Sequence, residues 1–206
     1  PQCGAFNSMI EEVVRDEPAA PKASAVRGLT ARSQPRPIGE VGGSAEDRIP
    51  LPIGEFARVL GGGIVPGSIV LVAGDPGIGK STLVLQMALE MAAGQRVLYV
   101  SGEESERQIR MRAARLRAAD ATLPQELLLV SETNLDVVLN HVADVKPTLL
   151  IVDSIQTMYL PDLESSAGSV SQVRECASQL RELAKAHGVT VFLIGHVTKD
   201  GAIAGP

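Results

Sequence analysis

Residues 68–86, SIVLVAGDPGIGKSTLVLQ, confine the possible fold more than any other stretch of the chain. An apolar run ends at Gly74 and passes straight into G-x-x-x-x-G-K-[ST], which opens a helix-forming segment. A strand, a glycine loop and a helix in that order let backbone N–H groups converge on phosphate oxygens, and the helix N-terminus adds positive potential. Gly74, Asp75, Pro76, Gly77, Ile78 and Gly79 form the expected cradle. Lys80 is expected to reach the β and γ phosphates, Ser81 to hold Mg²⁺, and Thr82 to sit beside it in the first turn.

Four further short runs resemble that first strand: RVLYVSG (96–102), ELLLVSE (126–132), TLLIVDS (148–154) and VTVFLIGH (189–196). Continuous apolar runs separated by helical patterns suit strands buried on both faces and joined by right-handed crossovers, which predicts an α/β fold with a mainly parallel sheet. Between the fourth and fifth runs, Val170, Val173, Ala177, Leu180 and Ala184 follow helical spacing and are expected to face the sheet, with Cys176 bordering the stripe as a buried, inert thiol. After the second run, Ile109, Ala113 and Leu116 form the expected buried face, and Arg107, Arg110, Arg112, Arg115 and Arg117 project around it; most are expected to form a solvated helix surface, the alternative being contact with DNA or with a neighbouring subunit's nucleotide.

Ligands of open α/β sheets bind at the carboxyl ends of the strands, so polar residues there are the functional candidates. Asp153 ends the fourth run and is expected to position Mg²⁺, usually through water. Glu103 and Glu104 follow the second run; one is expected to orient or deprotonate the attacking water and the other to help cap the next helix with Ser105, and spacing does not rank them. His196 ends the fifth run, with Lys199 close behind. A polar residue there can report the state of the γ phosphate to the loop that follows.

Composition narrows the partners. A formal net charge of −5 opposes bulk attraction to nucleic acid, so any such contact must be local. An apolar share of 45% suffices for a core, while aromatics at 2% leave it to Leu, Ile, Val, Ala and Met. No stretch is apolar and long enough to span a bilayer, the first residues are too polar for a signal peptide, and two cysteines make no disulfide scaffold. A cytoplasmic protein is expected. Residues 15–48, rich in Pro, Gly, Ala and Ser, lack any sustained period and read as a flexible linker, mildly basic through Lys22, Arg27, Arg32 and Arg36. Residues 49–206 are the expected folded domain.

These blocks resemble a family. LGGGIVPGSIVLVAGDPGIGKSTLVLQ, VLYVSGEES, IVDSIQTMY, GSVSQVRE and FLIGHVTKDGAIAGP together are similar to the bacterial RadA/Sms DNA-repair proteins, RecA-like ATPases that promote branch migration, over Leu60 to Pro206. The resemblance implies ATP with Mg²⁺, strand order 3-2-4-5-1 with helices on both faces, and Glu103 rather than Glu104 as the water-activating residue. Glu103, Lys80 and His196 are the expected catalytic residues. Single-stranded DNA and branched recombination intermediates are the implied substrates, RecA recombinase an implied partner, and a homo-hexameric ring the implied assembly. The DNA-facing loops would follow Asp153 (QTMYLPDLESSAGSVSQ) and His196. The first carries Asp162 and Glu164, which leaves backbone amides, Tyr159 and Lys199 to contribute.

Cys3, in PQCGAF, is similar to the last ligand of that family's four-cysteine zinc finger, so residues 1–14 are read as the end of such a finger and Zn²⁺ is expected only in a longer parent. The family's Lys-Asn-Arg-Phe-Gly motif and Lon-protease-like domain are not in the sequence, and without later strands the phosphate-loop strand is expected to form a sheet edge. A RecA-fold helicase or phosphotransferase, and a nucleotide-gated scaffold that hydrolyses little, are the alternative readings.

Overall fold

The computed structural model describes residues 35–42, 48–117 and 122–196, which all belong to one compact unit within 35–206. Cys3, Lys199 and residues 15–34 of the expected linker lie outside the described residues. So does the loop after His196.

Five strands appear where the apolar runs place them: β1 (Ile69–Gly74), β2 (Val97–Ser101), β3 (Leu127–Ser131), β4 (Leu149–Asp153) and β5 (Thr190–His196). All four pairings are parallel and the order is β1-β5-β4-β2-β3, the expected 3-2-4-5-1 read from the other side. Every residue of β2 and β4 is buried, whereas the two outer strands, β1 and β3, are not. Among the described residues β1 is an edge, with Ile69 and Leu71 exposed.

Because side chains alternate along a strand, the sheet builds two cores. One face presents Leu98, Val100, Leu150, Val152, Val191 and Leu193 to α4 (Leu135–Val145) and α5 (Val170–His187). The other presents Val97, Tyr99, Leu149, Ile151, Phe192 and Ile194 to α2 (Lys80–Met91) and α3 (Glu106–Leu116). The short α1 (Gly54–Val59) joins this second core, where Phe56 meets Phe192 edge-on at 5.8 Å between ring centroids. Such a pair adds about 0.5–1.5 kcal/mol beyond the area it buries.

Helix boundaries follow side-chain chemistry. Ser105 and Gln108 form a reciprocal capping box at the start of α3, Asn134 caps α4, Ser169 caps α5, and Gly188 ends α5 in the left-handed region. The stripe of α5 departs from expectation at its first member. Val170, the first residue of the helix, is exposed, and the buried face is Val173, Cys176, Leu180, Leu183 and Ala184. Cys176 therefore lies inside the stripe rather than at its border.

Candidate nucleotide site

The parallel register brings the strand ends to one edge: Gly74 lies opposite His196, and Ser101 opposite Asp153. Leaving that edge, the chain turns from β1 into α2 through Gly77 and Gly79, whose φ values of 81° and 96° fall in the left-handed region that glycine enters at little cost. Gly74 is constrained differently. A Cβ there would stand 2.6 Å from Ile78 Cδ1, so in this arrangement the exposed Ile78 side chain folds back over Gly74 and would have to swing away from any larger residue. No side chain caps the start of α2, and its first N–H groups face the loop as a phosphate site requires.

Lys80 is buried at the head of α2. Its Nζ donates to the carbonyls of Gly74 and Asp75, both at 2.8 Å, and lies 3.3 Å from His196 Nδ1. An ammonium has only donors, so Nδ1 accepts, and the neutral ring then carries its proton on Nε2. That nitrogen stands 3.4 Å from Glu103 Oε1. Ser154 Oγ donates to the same Oε1 at 2.8 Å. Lys80, His196 and Glu103 are thus in contact as a line of three along the sheet edge.

The adjacent glutamates separate. Ser101 Oγ accepts from the backbone N–H groups of both Glu103, at 3.3 Å, and Glu104, at 3.0 Å, and so fixes the turn after β2. From it Glu103 reaches His196, while Glu104 turns away to Arg112 at 2.8 Å. Arg112 accordingly leaves the solvated set of α3 arginines and becomes a half-buried partner. The expectation that the second glutamate helps cap α3 is not met: Ser105 and Gln108 complete that cap between them. Gly102 permits the crowding at this corner, since a Cβ there would collide with Thr157 Oγ1.

Asp153 is buried at the end of β4, with its carboxylate oxygens divided. Oδ1 accepts from Ser81 Oγ at 3.1 Å, and Oδ2 accepts from the Tyr99 phenol at 2.6 Å. Burial, followed by the Asp153 charge and this hydrogen bond, pushes the Tyr99 hydroxyl well above its ordinary range, so it remains a donor. Ser81 Oγ and Asp153 Oδ1 are hard oxygen donors on the α2 side of the sheet, the donor chemistry that Mg²⁺ prefers. Thr82 follows in the first turn of α2. The zinc expectation rests on Cys3, outside the described residues.

Tyr99, Ser101, Ser154 and Gln156 were not singled out from the sequence. Gln156 Nε2 donates at 3.3 Å to the carbonyl of His196, which ties the end of β5 to the turn after β4. Beyond that turn Met158 and Leu160 are buried, so of the expected DNA-facing loop only about residues 161–171 offers much surface. Gln172, the last residue of that stretch, is buried and holds it from beneath. Its Oε1 accepts from the Leu160 N–H at 2.8 Å, and its Nε2 faces the carbonyls of Leu160, Leu163 and Ser165 at 3.1, 3.3 and 2.9 Å.

A phosphate-binding loop, a strand-end aspartate and a glutamate just past the end of the adjoining strand, set on a 3-2-4-5-1 parallel sheet, define a RecA-like P-loop core. A family model described as "AAA domain" matches residues 44–202, and the chain belongs to that family. Over its whole length it is similar to the RadA/Sms-type RecA-like ATPases. It is 45% identical over 207 residues to the DNA repair protein RadA of Bacillus subtilis, and 47% and 46% identical to those of Halalkalibacterium halodurans and Listeria monocytogenes. Each alignment covers 100% of this chain and 44% of the relative, so the chain spans less than half the length of the curated relatives it matches. The crystal structure of a KaiC-like protein from Pyrococcus horikoshii OT3 shares the fold, with a TM-score of 0.59 and 23% identity over 75% of this chain and 73% of that one.

Proposed function

We propose that this chain is the ATP-hydrolysing core of a DNA-repair motor, in which nucleotide state controls the grip of the loops after Asp153 and His196 on single-stranded DNA. The observation that carries the reading is the contact of Lys80, His196 and Glu103 in line at the strand ends. The 45–47% identity to proteins named RadA supports the DNA-repair assignment.

In this reading the glycine loop and the α2 N-terminus bind the phosphates, and Lys80 exchanges its carbonyl contacts for β and γ oxygens. Ser81 and Asp153 would hold Mg²⁺, which when bound draws charge from the phosphate oxygens. Glu103 orients the attacking water and takes its proton. Both of its contacts fall on Oε1, which leaves Oε2 without a partner among the described residues and free for that water. His196 accepts from Lys80 and faces Glu103, so movement of the lysine toward a γ phosphate is felt at the base. Gln156 carries the change from the backbone of His196 to the turn that begins the first loop.

Branch migration of recombination intermediates, a homo-hexameric ring, RecA recombinase as partner and a cytoplasmic site of action belong to the same reading. So does an organisation of residues 1–14 as the end of a zinc finger, 15–48 as linker and 49–206 as ATPase domain. No described helix is long and apolar enough to cross a membrane. The test is DNA-stimulated ATP hydrolysis by the full-length protein and by its Lys80→Ala variant. Stimulation by single-stranded DNA that disappears with Lys80 is expected; hydrolysis that survives the substitution would refute the site.

A further inference from the structure

We propose that Tyr99 is a positioning residue that aims the Asp153 carboxylate at the phosphate loop and so sets the divalent-cation affinity of the nucleotide site. This rests on the nucleotide reading given above and adds a residue to it.

The register explains how a residue in the middle of a strand reaches the site. Tyr99 pairs with Ile151, and Ser101 with Asp153, in neighbouring parallel strands, so Tyr99 and Asp153 lie on one face two positions apart. A long aromatic side chain can span that diagonal. Its phenol O–H ends 2.6 Å from Asp153 Oδ2, the short separation of a hydrogen bond to a charged acceptor. The ring is fully buried among Val97, Leu149, Ile151 and the helices α2 and α3, where a phenylalanine would pack as well. Packing therefore accounts for the ring and leaves the hydroxyl unexplained. Its hydrogen bond is to Asp153 alone among the described residues.

With Oδ2 held by Tyr99, rotation of the carboxylate is restricted and Oδ1 is presented toward Ser81, 3.1 Å away. Asp153 is itself buried, at the end of a strand whose other residues are all apolar. A donor that never leaves it keeps the charge in place and aimed before any cation arrives. Removing such an outer partner of a metal-holding group typically lowers metal affinity 10- to 100-fold.

The experiment is a Mg²⁺ titration of fluorescent ADP binding to the full-length protein, its Tyr99→Phe variant, Asp153→Asn and the double variant. Tyr99→Phe is expected to raise the half-saturating Mg²⁺ concentration by about tenfold or more, with nucleotide affinity in EDTA unchanged. In the Asp153→Asn background the same substitution is expected to add less than about twofold, because the effect passes through Asp153. An unchanged Mg²⁺ requirement in Tyr99→Phe, or a full effect in the absence of the aspartate, would overturn the proposal. A wild-type protein that binds ADP without any dependence on Mg²⁺ would instead bring down the reading of the site itself, and the proposal with it. If Tyr99→Phe folds poorly, 3-fluorotyrosine placed at position 99 keeps ring and hydroxyl. Its fluorine resonance is expected to shift when Mg²⁺ is added to the ADP complex, and a resonance that does not move overturns the assignment.

Discussion

The carboxylate of Glu103 stands 3.4 Å from the imidazole of His196, on the strand adjoining the phosphate loop, while its sequence neighbour Glu104 is bound to Arg112. The two glutamates should consequently fail differently. Glu103→Gln is expected to lower kcat by about 10²- to 10⁴-fold, the usual worth of a positioned general base, with nucleotide affinity retained. Glu104→Gln breaks an ion pair whose contacting atoms, Glu104 Oε2 and Arg112 Nη2, are buried, so it should cost stability while leaving turnover within a few-fold of wild type. Steady-state ATP hydrolysis with parallel nucleotide-binding measurements checks both. Equal losses in the two variants would remove Glu103 from its special place.

Gln156 offers a way to separate turnover from coupling. Its Nε2 holds the His196 carbonyl, and its Oε1 is buried without a hydrogen-bond partner. Gln156→Met keeps the length of the side chain, loses one hydrogen bond of about 1 kcal/mol and relieves an unpaired acceptor, so stability should change by less than about 1 kcal/mol. The expected loss is in DNA stimulation, which should fall several-fold further than the DNA-free rate. Hydrolysis assayed with and without single-stranded DNA shows whether the two are separable.

Gln172 pins the exposed part of the first loop through both ends of its amide, and it is buried. Gln172→Leu preserves volume but strands the Leu160 N–H and the carbonyls beneath the loop. The expected cost is about 2–3 kcal/mol, since a buried polar group left without its partner forfeits its desolvation energy. Denaturant unfolding measures this. Limited proteolysis should show new cleavage within residues 161–171 before global unfolding, the mark of local opening. A variant as stable and as resistant as wild type would mean that the loop is held by other contacts.

Much of this architecture can be read from the chain because its signals are contiguous. Each buried strand is an unbroken apolar run, and the phosphate loop is a single stretch between a strand and a helix. Strand order is not local information; it came with the family resemblance, and the observed β1-β5-β4-β2-β3 agrees with it. Residues whose roles depend on register stayed hidden. Tyr99 looks like one more apolar position in VLYVS until β2 is laid beside β4 with Ser101 opposite Asp153. Arg112 looks like one of five arginines until Glu104 turns toward it. The buried stripe of α5 begins at Val173 rather than Val170, because periodicity alone does not show which residue of the first turn meets the core.

Cys176 gives the chain a pH dependence whose sign can be worked out. Its thiol is buried between α5 and the sheet and is pushed up to about 11 from an ordinary 9.0, chiefly by burial and then by the charges of Glu175 and Asp136. Between those values the unfolded chain releases the proton while the folded chain retains it, so the unfolded state binds fewer protons and stability falls as pH rises. The fall should begin near pH 9 and level off above about 11. In a Cys3→Ser background, where Cys176 is the chain's remaining thiol, denaturant midpoints measured across that range should decline, and Cys176→Ala should remove this part of the slope. The same thiol should react with iodoacetamide at pH 8 only as fast as the protein opens, because both its thiolate fraction and its access are suppressed. Alkylation of the native protein at the rate of a free thiol would contradict the burial that places Cys176 in the α5 core.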